Sequence, residues 1–278
     1  MTAPGRRVFV TGGASGLGRE LALRFAAAGW RVAIGDVHDA RAAETGAALG
    51  PEAVVLRCDV TREEDLLAAA AGLEERWGGV DVVVNNAGVA DAGGIAEVPD
   101  EGWRWILEVN LLGVVRGCRA FTPLFRRQGH GWFVNVASMA GLLDVPLMAS
   151  YNASKAAVVS LSETLQNELE DDGIGVTVVC PGFFQTRLGE SLRTQSPGLR
   201  AAMEGLFARS PVTAAQIADQ VFGAVARGDF HVLPHPAGRR AWLLKRLLPR
   251  RLYRAAVGAQ HRKLRAYFSR KRAGEGRE

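Results

Sequence analysis

Six short runs of nearly unbroken apolar, β-branched character punctuate the chain: RVFVT (7–11), RVAIGD (31–36), AVVLRCD (53–59), VDVVVNNAG (80–88), GWFVNVAS (131–138) and VTVVCPG (176–182). Ala- and Leu-rich stretches of helical periodicity separate them. A strand wetted on one face alternates apolar and polar residues. Strands this apolar are buried on both faces, which calls for a parallel sheet covered by helices on both sides. The pattern predicts an α/β fold, with one doubly wound domain over residues 1–238. Residues 187–211 break the rhythm and mix Leu188, Leu192, Leu199, Met203, Leu206 and Phe207 with charges, as a mobile lid would.

With 278 residues, 48% of them hydrophobic, the chain can bury a sizeable core. No apolar run approaches the roughly 20 residues of a membrane-spanning helix, and the first strand begins too early to leave room for a signal peptide. A cytoplasmic location is expected. Cys58, Cys118 and Cys180 are scattered and odd in number, which reads as reduced packing residues, and no histidine cluster or HExxH run suggests a metal. The net charge of +5 is unevenly spread. Residues 239–278 carry 14 Lys/Arg and 2 Asp/Glu, a net of +12, and the preceding residues a net of −7.

TGGASGLG (11–18) follows the first strand and opens a helical pattern, the context of a phosphate-binding turn in a Rossmann-type domain. Gly12, Gly16 and Gly18 would let the backbone approach a pyrophosphate at a helix N-terminus. Their GxxxGxG spacing is less common than GxGxxG. Asp36, 20 residues beyond Gly16 at the end of the second strand, is placed to accept hydrogen bonds from both adenosine ribose hydroxyls. A 2′-phosphate would meet like charge there, and positions 35, 37 and 38 offer no Lys or Arg, so NAD is favoured over NADP, with Arg41 the residue that would oppose this. Asp59 could hold the adenine amino group or cap the following helix. Asn86, Ala87 and Gly88 could form a small-residue turn against the cofactor, and Asn86 is equally a turn former.

In YNASK, Tyr151 and Lys155 lie one helical turn apart and share a face, with Ser138 upstream. A nearby ammonium favours the phenolate and lowers a tyrosine pKa from about 10. The pair is a candidate proton donor and acceptor, although Tyr and Lys at this spacing also occur on ordinary surface helices.

In sequence order, TGGASGLG, Asp36, CDV (58–60), NNAG (85–88), Asn110, Ser138, YNASK and PGFFQT (181–186) resemble the short-chain dehydrogenase/reductase family, in its standard-length branch. The likeness runs over about residues 7–190, and the 13-residue gap from Ser138 to Tyr151 is typical of it. It implies a catalytic set of Asn110, Ser138, Tyr151 and Lys155. Tyr151 would be the general acid/base, Lys155 would lower its pKa and bind the nicotinamide ribose, Ser138 would hold the substrate oxygen, and Asn110 would anchor a water leading to solvent. Cofactor contacts are implied at Gly12, Ser15, Gly16, Leu17, Gly18, Asp36, Asp59, Val60, Asn86, Ala87, Gly88, Tyr151, Lys155, Pro181, Gly182 and Thr186. The expected activity is NAD(H)-dependent interconversion of a secondary alcohol and a ketone. A non-catalytic dinucleotide sensor that binds a partner through its tail is the alternative, and such a protein has no need of the tetrad.

Around the expected substrate position stand Leu142, Leu143, Val145, Leu147, Met148, Phe183 and Phe184, with Met203, Leu206 and Phe207 of the expected lid and Asp144 the main charge, which suits a hydrophobic alcohol or ketone unless these residues serve lid or dimer packing. The resemblance implies a homodimer or homotetramer through the runs 101–127 and 150–171, and the extended tail speaks against the tetramer. Residues 239–278 are expected to form a basic helical C-terminal extension. It holds two amphipathic candidates, RRAWLLKRLL (239–248) and PRRLYRAAVGAQHRKLRAYF (249–268), and in the second Tyr253, Val257, Gln260, Leu264 and Phe268 fall at helical spacing. Such a helix suits packing on the acidic body or a sister subunit, or peripheral contact of residues 239–270 with the inner membrane face. No nucleic-acid motif accompanies the charge.

Overall fold

The computed structural model describes residues 6–273. The six apolar runs form strands β1 (Arg7–Thr11), β2 (Arg31–Asp36), β3 (Val54–Arg57), β4 (Val82–Asn85), β5 (Gly131–Val136) and β6 (Ile174–Val179). A seventh, β7 (His231–Val232), pairs with β6 and has too little sequence to show periodicity. All pair in parallel, in the order β3-β2-β1-β4-β5-β6-β7. The order reverses between β1 and β4, and the crevice beyond their carboxyl ends is where a doubly wound sheet binds ligands.

Side chains on a strand point alternately to opposite faces. In β1, Val8 and Val10 join a layer containing Leu17, Leu21 and Phe25 of α1 (Gly16–Ala27) and Ile217 and Val221 of α9 (Ala214–Arg227). Phe9 points the other way, to Leu66 and Leu73 of α3 (Glu63–Trp77), Phe121 and Phe125 of α5 (Gly113–Gln128) and Val158 of α7 (Ala149–Leu169). Both faces are therefore dry, as the apolar runs require. Helix α2 (Asp39–Leu49) covers the β2–β3 side, and α4 (Asp100–Leu107) runs through a π turn, Glu108–Leu112, into α5. Among the described residues no helix is long and apolar enough to cross a membrane. The three cysteines are buried and unpaired.

Two regions complete the site. After β5 come α6 (Ala140–Leu143) and a loop in which Asp144 and Leu147 hold φ of 57° and 60°, a conformation costly for residues with a Cβ. Residues 187–211, expected as a lid, form a 3-10 turn (Arg187–Ser191) and α8 (Pro197–Ala208), whose Leu199, Met203 and Phe207 are buried. The tail forms α10 (Pro236–Leu247), which rests on α6, and α11 (Arg250–Ala273), which lies along α8. Phe268 is buried in one apolar cluster with Leu199, Ala202 and Met203 of α8, and Tyr253 and Val257 are buried as well, so the apolar stripe expected of the second tail helix is spent on the protein itself. The side chain of Gln260, expected on that stripe, lies outside the described residues.

Candidate active site

A single cavity of about 990 Å³ runs along the carboxyl ends of the strands from Asp36 to the tail helices. At its nucleotide end the β1–α1 turn is shaped by close approach. Gly16 holds φ +53°, and a Cβ there would lie 2.9 Å from Thr186 Oγ1; a Cβ on Gly18 would lie 2.1 Å from the Gly12 carbonyl oxygen. The Ser15 side chain makes no cap bond, so the first-turn amides of α1 remain available to an anion. Leu17, Ala87, Gly88 and Val60 complete the wall.

Asp36 is 8% exposed at the end of β2, and its carboxylate accepts from the amides of Ala14 and His38, both at 3.0 Å. Arg41 borders the cavity but is engaged with Glu190 at 2.7 Å. Asp59 accepts from the Thr61 amide and hydroxyl at 2.9 and 2.8 Å, an Asx turn rather than a helix cap, since α3 starts four residues later. Asn86 both lines the cavity and ties the glycine turn, its Nδ2 donating to the carbonyls of Thr11 and Gly12. Close-approach glycines, an uncapped helix start and a strand-end carboxylate fit a dinucleotide.

Two expected site residues do not reach the cavity. Gly18 lies behind the turn, where its missing side chain lets α1 touch Gly12. Asn110 is fully buried in the π turn. Its amide pairs with both backbone groups of Val89, at 2.8 and 3.0 Å, and donates to Ser154 Oγ at 3.2 Å.

Ser138, Tyr151 and Lys155 meet near the middle of the cavity. Burial pushes the Tyr151 phenol up to about 12, against the pull of a hydrogen bond with Ser138. Burial here outweighs the lowering expected from Lys155. The ammonium stands 6.0 Å from the Tyr151 ring centre and donates to the Val136 carbonyl at 2.9 Å, and burial pulls its own pKa down to about 8. Pro181 and Gly182 pass below, and Thr186 follows beside Gly16.

His235 gives no sequence signal. Its Nδ1 accepts from the Gly182 amide and its Nε2 faces the Phe183 carbonyl, each at 2.9 Å, so the neutral ring with hydrogen on Nε2 satisfies both. The ring thereby clamps the turn beside Ser138 to the start of α10. Burial lowers its pKa. A group that prefers the neutral state in the fold contributes stability that is complete above its unfolded pKa and is lost as pH falls through the folded value. Melting temperature is accordingly expected to drop below about pH 6.5, and His235→Ala to weaken that dependence, to which the likewise lowered His231 also contributes, and to raise the cofactor KM about tenfold.

The far half of the cavity is apolar. Met139, Val145, Met148, Phe183, Met203 and Phe207 line it, joined by Tyr253, Val257 and Leu264 from α11. Leu142, Leu147 and Leu206, expected around the substrate, do not border it. Asp144 stands at the rim in an ion pair with Lys245 at 2.8 Å.

The short chain dehydrogenase family profile matches residues 6–197. The 2-(R)-hydroxypropyl-CoM dehydrogenase of Xanthobacter autotrophicus is 37% identical over 78% of this chain and 89% of its own. A probable oxidoreductase of Mycobacterium bovis, EphD, is 35% identical over 88% of this chain, which spans only 43% of EphD's length. A crystal structure of a short chain dehydrogenase/reductase from Burkholderia phymatum in complex with NAD superposes with a TM-score of 0.83 at 32% identity, covering 88% of this chain and 94% of that one. The ordered glycine turn, the Ser, Tyr and Lys at one cavity and these likenesses agree: the chain belongs to the short-chain dehydrogenase/reductase family of NAD(P)-dependent oxidoreductases.

Proposed function

We propose that the protein interconverts a lipophilic secondary alcohol and its ketone with NAD(H), Tyr151 acting as general acid/base. The observation that carries this reading is continuity. One cavity joins a dinucleotide-shaped end, the Ser138–Tyr151–Lys155 group and an apolar chamber.

The bound dinucleotide would supply or accept the hydride. Held by the protein, a substrate oxygen would sit between the Ser138 hydroxyl and the Tyr151 phenol. Ser138 donates to that oxygen as negative charge grows on it. Tyr151, protonated at neutral pH, gives its proton during reduction and takes one during oxidation. Lys155, held by the Val136 carbonyl, places positive charge beside the ribose end of the cofactor site. The Asn110 amide is committed to Val89 and Ser154, so a relay water would be held by its main chain and not its side chain. Self-association as a dimer or tetramer through α4, α5 and α7 belongs to the same proposal.

The test is NADH formation from secondary alcohols ranging from apolar and polycyclic to small and polar, with NAD and NADP in parallel. Preference for a small sugar over every apolar alcohol would overturn the substrate class. Asp36→Asn is expected to lower kcat/KM with NAD about tenfold to a hundredfold, the worth of hydrogen bonds to a charged group, and to narrow the gap to NADP. If NADP is already the better cofactor of the unaltered protein, NAD preference falls and the mechanism stands.

A further inference from the structure

The two tail helices are amphipathic in two directions. Their inner surface carries Ala241, Tyr253, Val257 and Leu264 to the cavity. Their outer surface carries leucines left open to solvent: Leu243, Leu244, Leu247 and Leu252 are 41%, 38%, 77% and 57% exposed. On α10, Leu247 lies three and four residues beyond Leu244 and Leu243, on one face, and Leu252 follows in the first turn of α11. They gather at the corner where the chain turns at Leu248 and Pro249.

The same corner is strongly cationic. From Pro236 to Ala273 the chain has no Asp or Glu. Arg239, Arg240, Arg246, Arg250, Arg251 and Arg254 are all exposed. Among the described basic side chains of the two helices, only Lys245 is in an ion pair. The body's acidic residues therefore leave this charge largely uncompensated.

We propose that this corner docks the protein on an anionic lipid bilayer. Exposed leucines flanked by arginines match both halves of such a surface, acyl chains below and negative headgroups above. A nucleic acid would use the arginines and gain nothing from the leucines. The stripe of Tyr253, Val257 and Phe268 cannot serve, because it is buried on the protein's own body. Bilayer contact comes from the opposite side of the hairpin. The docked helices are also a wall of the apolar chamber, so a lipophilic substrate dissolved in the membrane would have a short path to it. That last step rests on the function proposed above; the docking does not.

The experiment is flotation of the full-length chain with extruded vesicles of phosphatidylcholine, with and without about one-third phosphatidylglycerol, at ~0.1 M salt, where charges are screened beyond roughly 10 Å. Binding to the anionic vesicles and not to pure phosphatidylcholine is expected. The triple variant L243S/L247S/L252S is expected to bind at least tenfold more weakly, with NADH affinity unchanged. R250Q/R251Q, which touches no apolar contact, should also weaken binding. Absence of flotation, undiminished flotation of the leucine variant, or preferential binding of duplex DNA in competition would each overturn the proposal. NADH affinity and turnover of a water-soluble alcohol are read separately, so loss of the docking and loss of the proposed activity are distinguishable.

Discussion

Replacing Tyr151 by phenylalanine is expected to lower turnover about 10²–10⁴-fold, the usual worth of a positioned proton donor, with NADH affinity almost unchanged. The phenylalanine ring keeps the packing of a side chain that is 7% exposed, and only the phenol oxygen is lost. The remaining rate would come from positioning and from Ser138, which still holds the substrate oxygen. The same burial that raises Tyr151 to about 12 lowers Lys155 to about 8. Tyr151 is then a ready donor throughout the neutral range, whereas Lys155 surrenders its charge as pH rises through 8. Ketone reduction should be flat up to about pH 8 and fall above it, and alcohol oxidation should climb over the same range. Pre-steady-state absorbance at the NADH band would check both limbs. A Tyr151→Phe variant with more than one-tenth of the parent rate would remove the phenol from the mechanism.

The nucleotide half of this site was legible because its requirements are local in sequence. A turn that must touch phosphate needs glycines at fixed spacing beside a helix start, and a ribose contact needs an acid where a strand ends. Asp36 and the Gly12–Gly18 turn meet those demands within one βαβ unit. The substrate half was only partly legible. Its lining comes from the β5–α7 connection, α8 and α11, and nothing in a linear pattern says that Tyr253 of the tail faces Met139 and Phe207 across a cavity. His235 escaped notice for the same reason, since its partners Gly182 and Phe183 lie 53 and 52 residues away. Helical spacing brought Tyr151 and Lys155 to one face, as read, but spacing carries no information about desolvation. Once both were buried, the cost of desolvating the phenolate raised the phenol's pKa and outweighed the expected pull of the ammonium. The tail shows a related limit. Periodicity revealed two amphipathic helices, while the choice of which apolar residues turn inward depended on where α8 stood.

Gly18→Ala is expected to reduce NADH affinity about a hundredfold and to destabilise the protein by roughly 1–3 kcal/mol, the range for overfilling a packed site. A methyl at this position would lie 2.1 Å from the Gly12 carbonyl oxygen, 2.5 Å from Asn86 Nδ2 and 2.9 Å from the Gly12 carbonyl carbon. Two of these are backbone atoms of the β1–α1 glycine turn, so no side-chain rotation relieves the clash. Either α1 moves off the turn or Gly12 moves toward the cavity. Both shift the first-turn amides of α1 relative to the rest of the cavity wall, and both disturb the bonds of 3.0 and 3.1 Å by which Asn86 holds Thr11 and Gly12. Gly72 provides the control. It is exposed within α3, and a Cβ there would meet nothing within 4 Å. Gly72→Ala should raise stability by roughly 0.5–1 kcal/mol through reduced freedom of the unfolded chain, with NADH affinity unchanged. Calorimetric NADH titration of the two variants separates the shape of the turn from the general cost of losing a glycine. Equal affinity in both would mean that the contact between α1 and Gly12 is slack and that the cofactor end is not held by this approach.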